Sequence, residues 1–69
     1  MEIKAEMAGN LWKLLVSVGD TVTEGQDVAI LESMKMEIPI STDDDGTVKE
    51  VKFEEGDFLN EGDVVVVLE

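Results

Sequence analysis

Residues Gly9 to Glu32, GNLWKLLVSVGDTVTEGQDVAILE, recur without a gap as Gly46 to Glu69, GTVKEVKFEEGDFLNEGDVVVVLE, at an offset of 37. Identical residues stand at Gly9/Gly46, Gly19/Gly56, Asp20/Asp57, Glu24/Glu61, Gly25/Gly62, Val28/Val65, Leu31/Leu68 and Glu32/Glu69. Apolar residues match at Leu11/Val48, Leu14/Val51, Val16/Phe53, Val22/Leu59 and Ile30/Val67. Glycines that recur at fixed places mark positive φ or close backbone approach, so the shared G-D-x-(Val/Leu)-x-E-G run gives both copies the same turns. Two copies are too few to stack as a solenoid. The remaining solution is a closed pair related by approximate two-fold symmetry, each copy forming one wall of a common core.

The second copy decides between strand and helix. Its end, Val64 to Glu69 (VVVVLE), is too β-branched for a stable helix. The segments IKAEM (Ile3 to Met7), LWKLLV (Leu11 to Val16) and VKEVKF (Val48 to Phe53) are also strand-like, although their alternation is imperfect. Short strands separated by glycine turns predict an all-β fold, a small sandwich or flattened barrel formed by one domain over residues 1–69.

Local propensity gives a different answer for DVAILESMKMEI, Asp27 to Ile38. Alanine, leucine, glutamate, methionine and lysine favour a helix, and Ile30, Met34 and Ile38 fall four apart on one helical face. Two observations overrule this. Val28 to Glu32 aligns with the β-branched Val65 to Glu69, and Pro39 disfavours a helical conformation at Ile38. The chain should therefore run as a strand from Val28 to Glu32, reverse at Ser33, Met34 and Lys35, and return as a strand from Met36 to Ile40. No Asn-Gly or Asp-Gly pair marks the reversal, so the hairpin follows from the repeat rather than from turn chemistry. Lys35 then stands at a protruding tip, in the gap between the two copies.

Sixty-nine residues are near the lower limit for a core that holds without metal or disulfide, and leave no room for an enzyme with a buried substrate cleft. The absence of cysteine and histidine removes disulfides, thiol catalysis, imidazole chemistry and the usual zinc sites. A net charge of −12 disfavours nucleic acid and anionic lipid, supports solubility, and keeps copies of the chain apart as monomers at low salt. The start MEIKAEMAGN lacks a basic, apolar leader, and no stretch is long enough to cross a membrane. These features read as a soluble, cytoplasmic protein. No catalytic residue is assigned.

Between Lys13 and Lys49 the one basic residue is Lys35, while Asp20, Glu24, Asp27, Glu32, Glu37, Asp43, Asp44 and Asp45 lie in the same span. A lone ammonium surrounded by carboxylates argues against Lys35 as a nucleophile in its own right. Chemistry at Lys35 is therefore chemistry done to it by another protein, and an exposed amine on a rigid hairpin is a good acceptor for acylation. Methionine is adaptable and common on recognition surfaces, which suits Met34 and Met36 at such a tip. They could equally fold back over the edge of the core, or divide the two roles, one facing each way.

The residues ESMKME resemble the attachment motif Glu-(Ala/Ser)-Met-Lys-Met of biotinyl domains, and the repeated G-D-x-V-x-x-G turn is similar to that of biotinyl and lipoyl carrier domains. The resemblance spans essentially the whole chain and is nearest to free-standing attachment proteins of the biotin carboxyl carrier type. It implies a flattened β-barrel, or barrel-sandwich hybrid, of two four-stranded sheets with the lysine on a hairpin tip. It further implies that Lys35 receives biotin through an amide, installed by biotin protein ligase. Met34 and Met36 would be the flanking recognition residues, with Glu32 and Ser33 completing the motif. Gly19, Gly25, Gly56 and Gly62 would shape turns without touching the cofactor. The partners implied are the biotin carboxylase and carboxyltransferase subunits of biotin-dependent carboxylases, neither of whose reactions the carrier would catalyse.

Lipoate on the same lysine, attached by a lipoyl ligase, is the first rival, either alone or with Lys35 as a dual biotin/lipoyl acceptor, but lipoyl domains favour Asp before and Ala after the lysine where this chain has two methionines. An unmodified barrel-sandwich interaction module is the second; it gives no reason for Met34-Lys35-Met36. Asp43 to Asp45 lack the glutamate that would complete a calcium loop and read as a solvated turn. The stretch from Trp12 to Gly19 leaves no room for the protruding loop that some carrier domains carry between the halves of the barrel.

Overall fold

The computed structural model describes all residues, 1–69. Eight strands follow in order: β1 Glu2–Lys4, β2 Gly9–Leu14, β3 Thr21–Val22, β4 Asp27–Ser33, β5 Met36–Ser41, β6 Gly46–Val51, β7 Phe58–Leu59 and β8 Val64–Leu68. They form two four-stranded antiparallel sheets, ordered β1-β8-β6-β3 and β5-β4-β2-β7. The all-β class and the two-sheet flattened barrel are as the sequence led us to expect.

The 37-residue offset is written into the strand limits. Moved by that interval, Gly9–Leu14 falls on Gly46–Val51 and Thr21–Val22 on Phe58–Leu59, and Asp27 begins β4 where Val64 begins β8. The copies exchange sheets: each position in one sheet has its counterpart in the other, with β1 corresponding to the end of β5.

The irregularities repeat as well. The register of β2 on β4 shifts between Leu11 and Lys13, and that of β6 on β8 between Val48 and Glu50. Further shifts fall between Asp27 and Ala29 in β4 and between Ile3 and Lys4 in β1. Each adds a residue to one strand and breaks the alternation. As a result Val28 and Ala29 are both buried, as are Val65 and Val66, which explains the imperfect period in the sequence.

The turns rest on the repeated polar residues. Asp20 Oδ2 accepts a bond from the Ser17 amide at 2.9 Å, and Asp57 Oδ2 accepts from the Glu54 amide at 2.9 Å. Beside them Gly19 and Gly56 have φ of 95° and 96°, a conformation that a side chain would strain. Between the sheets Leu11, Leu31 and Leu59 are fully buried among Val22, Val28, Val48, Val65 and Val66. Truncating such a leucine to alanine typically costs about 2–5 kcal/mol.

The observed limits differ modestly from expectation. β1 ends at Lys4, because Ala5 turns inward and exchanges hydrogen bonds with Asp63 and Gly62. β2 and β6 begin two residues earlier than the strand-like runs and end before Val16 and Phe53. β4 and β5 reach Ser33 and Ser41. Only Leu15 to Asp20 connect β2 to β3, so no protruding loop interrupts the first copy. Thr42 is buried and anchors the acidic turn, donating to Asp44 O and accepting from the Asp44 amide. Asp45 Oδ1 accepts from the Glu24 amide at 2.7 Å, so this carboxylate ties two loops together.

Candidate functional site

Strands β4 and β5 form a hairpin in which Ser33 faces Met36, Glu32 faces Glu37 and Leu31 faces Ile38. Met34 and Lys35 are thus the two loop residues. Both have positive φ, 52° and 64°, and they are the only non-glycine residues of the chain that do. Positive φ at both central positions is the geometry of the primed turn that suits the right-handed twist of the flanking strands. Asparagine or glycine normally supplies it; an ordinary side chain in this region costs roughly 1–2 kcal/mol. The well-paired strands behind the turn hold it there.

The turn sends its side chains outward. Met34 is 91% exposed and Met36 60%, so neither folds over the core, and the division of roles in which one would do so does not occur. Lys35 is exposed too, and although Glu32 and Glu37 lie just below it, its amine joins no ion pair; the single salt bridge of the molecule is Lys52 Nζ to Glu50 Oε2 at 2.8 Å. Glu32 and Ser33 end β4 at the root of the tip, Glu32 exposed and Ser33 half-buried. Cross-strand glutamates repel one another and add nothing to the hairpin's stability.

A shallow groove of about 480 Å³ runs from the tip across the sheet, lined by Gly9, Asn10, Ser33, Met34, Lys35 and Phe58 among others. Gly9 fits under the hairpin because it lacks a side chain: a Cβ there would lie 2.9 Å from the Glu32 carbonyl oxygen and 3.3 Å from Ser33 Cβ. Asn10 stands between Glu32 on β4 and Phe58 on β7. Reading the sequence missed Gly9 as a support of the tip and Phe58 as its neighbour. The available signal was that Phe58 occupies the repeat position of Thr21, an apolar residue where the fold accepts a polar one.

An exposed, unpaired primary amine on a stiff two-residue turn can be acylated and can then carry its acyl group into another protein's cleft. No group of three or more acidic side chains is arranged to hold a metal ion.

A family model described as "Biotin-requiring enzyme" matches residues 1–68. The chain is 63% identical over 68 residues to the Biotin/lipoyl attachment protein of Bacillus subtilis (strain 168), covering 99% of this chain and 93% of that one. It is 44% identical over 64 residues to the Biotin carboxyl carrier protein of Streptococcus mutans, covering 93% of this chain and 49% of that one. Among solved structures it is similar to the urea carboxylase of Kluyveromyces lactis, with a TM-score of 0.93 and 33% identity, over 100% of this chain but 6% of that much larger one.

Proposed function

The chain belongs to the biotin/lipoyl attachment family, a family of carrier domains that are not themselves catalytic, and from that membership we propose that it is a biotin carboxyl carrier acylated on Lys35. Biotin protein ligase would join biotin to Lys35 Nζ from biotinyl-AMP, made from biotin and ATP with release of pyrophosphate: the amide bond forms, the bond between the biotinyl carboxyl carbon and the AMP phosphate oxygen breaks, AMP leaves, and the neutral amine gives up one proton. Once attached, the biotin ring would carry a carboxyl group from a biotin carboxylase to a carboxyltransferase.

The observation that carries this reading is the placement of Lys35 at the apex of a two-residue turn, its amine unpaired and its neighbours Met34 and Met36 both turned to solvent. The residues present fit an acyl group, since nothing encloses the amine. The chain's part is threefold. The paired β4 and β5 keep the tip stiff, Met34 and Met36 offer apolar surface to the enzymes that handle it, and the barrel tethers the arm. A short tether holds its load at an effective concentration of roughly millimolar. Glu32 and Ser33 end β4 at the root of the tip, paired with Glu37 and Met36.

Intact mass after co-expression with biotin protein ligase, and separately with lipoyl ligase, tests the assignment. A biotin adduct is expected with the first, lost in Lys35→Arg while the fold persists. Biotin retained by Lys35→Arg would refute the site, and an adduct only with the lipoyl enzyme would make the chain a lipoyl carrier. Exchanging Met34 for Asp and Met36 for Ala is expected to shift acceptance toward the lipoyl enzyme.

A further inference from the structure

The two-fold repeat supplies an internal control on surface composition, because equivalent positions meet the same demands of folding. On the outward face of the sheet that bears the hairpin stand Pro39, Ile30, Trp12 with Lys13, and Phe58. Their counterparts on the other sheet are Glu2, Val67, Lys49 with Glu50, and Thr21. The same register shift makes Trp12 and Lys49 the extra residues and turns both out to solvent, each beside a residue, Lys13 or Glu50, that pairs with a half-buried aliphatic, Ile30 or Val67. The fold therefore accepts Lys, Thr and Glu where the hairpin sheet carries Trp, Phe and Pro. Trp12 is 41% exposed and Phe58 58%, and exposing aromatic surface costs hydration free energy unless a partner covers it.

A groove joins Phe58 to the lysine, its floor polar where Asn10 and Glu32 lie between them. Phe58 lines the groove that ends at Ser33, Met34 and Lys35, and Trp12 lies diagonally across from Phe58 on the adjacent strand. A second copy of the chain is a poor occupant, because two bodies of net charge −12 repel. A partner that bears cations around an apolar patch would meet Glu32 and Glu37 at the edge of this face, with Trp12 and Phe58 as anchors of the kind that dominate interfaces.

Resting on the reading of Lys35 as an acylated residue, we infer that the outward face of the hairpin sheet, centred on Trp12 and Phe58, is the docking surface for the ligase that acylates Lys35. The distinction from later partners is one of reach. The acylating enzyme must bring Nζ itself to the activated carboxyl, so it has to close down on the root of the tip and its groove. Enzymes that act on the attached group meet it at the end of a much longer arm, and need not cover the groove.

The test uses the full chain, purified biotin protein ligase, biotin and ATP, measuring KM for the carrier and kcat. Trp12→Lys with Phe58→Thr writes onto the hairpin sheet what the other sheet already carries. KM is expected to rise at least about tenfold with kcat within twofold of wild type, while Lys49→Trp with Thr21→Phe leaves KM unaltered. Thermal unfolding checks that each variant is folded, and Phe58→Thr alone, expected to raise KM in the same direction, replaces the double variant should that one fail to fold. An unchanged KM in a folded variant overturns the inference, as does a loss confined to kcat, which would mean that these residues align Lys35 without docking. A wild-type chain that takes no biotin at all refutes the carrier reading, and the inference falls with it.

Discussion

Gly9 lies so close beneath Ser33 that a methyl group added to it would sit 3.3 Å from Ser33 Cβ and 2.9 Å from the neighbouring Glu32 carbonyl oxygen. The second of these is backbone in a paired strand and cannot swing aside. Gly9→Ala is therefore expected to destabilise the protein by about 1–3 kcal/mol, the usual cost of overfilling a packed site. Gly46, its repeat partner, provides the comparison: a Cβ there meets Leu68 Cβ and Cδ1 at 3.3 Å. The nearest backbone atom there, the Glu69 carbonyl oxygen, is 3.4 Å away rather than 2.9 Å, so Gly46→Ala is expected to cost less. Denaturant unfolding of the two variants measures the difference, and equal costs would show that the Glu32 backbone gives way.

The turn at Met34 and Lys35 is held against the preference of its own residues. Both are at positive φ, where asparagine is far more at ease than methionine. Met34→Asn is expected to stabilise the fold by about 1 kcal/mol, which in a domain of this size raises Tm by roughly 4–8 °C. The gain should come at the expense of acylation, because the exposed methionine surface beside Lys35 is lost. A fall in Tm would mean that Met34 has packing that its 91% exposure does not reveal.

Those two sites mark where the sequence was legible and where it was not. The eight matched identities revealed the two-fold pair and carried the strand reading of the β-branched Val64 to Glu69 onto Val28 to Glu32, because duplicated burial leaves a duplicated pattern. The two-residue strands at Thr21–Val22 and Phe58–Leu59 are too short to show any period. The shifts that bury Val28 beside Ala29 arise from pairing between strands, and in the sequence they show only as a broken alternation that does not place them. The tip was legible only as a position. Its backbone geometry contradicts local turn chemistry, and the closeness of Gly9 to Ser33 joins strands far apart in the chain. Lys35 stood out because its charge is isolated, whereas Phe58 and Trp12 required a comparison between copies.

Glu50 and Lys52 form the one salt bridge, at 2.8 Å, on an exposed strand end. The hydrogen bond from Lys52, then its charge, lowers the Glu50 carboxyl below the ordinary 4.5, with a smaller contribution from Lys49. A carboxyl lowered on folding stabilises the fold above its unfolded value, and that stabilisation fades as pH drops through the folded value. Carboxyl NMR titration is expected to give a midpoint for Glu50 below 4.5 that returns toward 4.5 in Lys52→Gln. A midpoint unmoved by that substitution would show that the pair does not persist in solution. The pair is exposed, so its influence on stability should be slight.

Repulsion should matter more to this fold than attraction. Seventeen acidic side chains face five basic ones and a single pair is bridged, in a body measuring 31 × 19 × 18 Å. At 0.01 M salt the screening length is about 30 Å, the length of the molecule, so that every carboxylate acts on the rest; at 0.1 M it is about 10 Å. Unfolding separates these charges and is favoured most when they are least screened. Raising sodium chloride from 0.01 to 0.1 M is therefore expected to increase Tm by a few degrees. Lys4→Glu, which adds a carboxylate and removes a cation on β1, should steepen the dependence. Calorimetric melts across the salt range measure both, and a Tm that falls with added salt would show that net attraction holds the folded state.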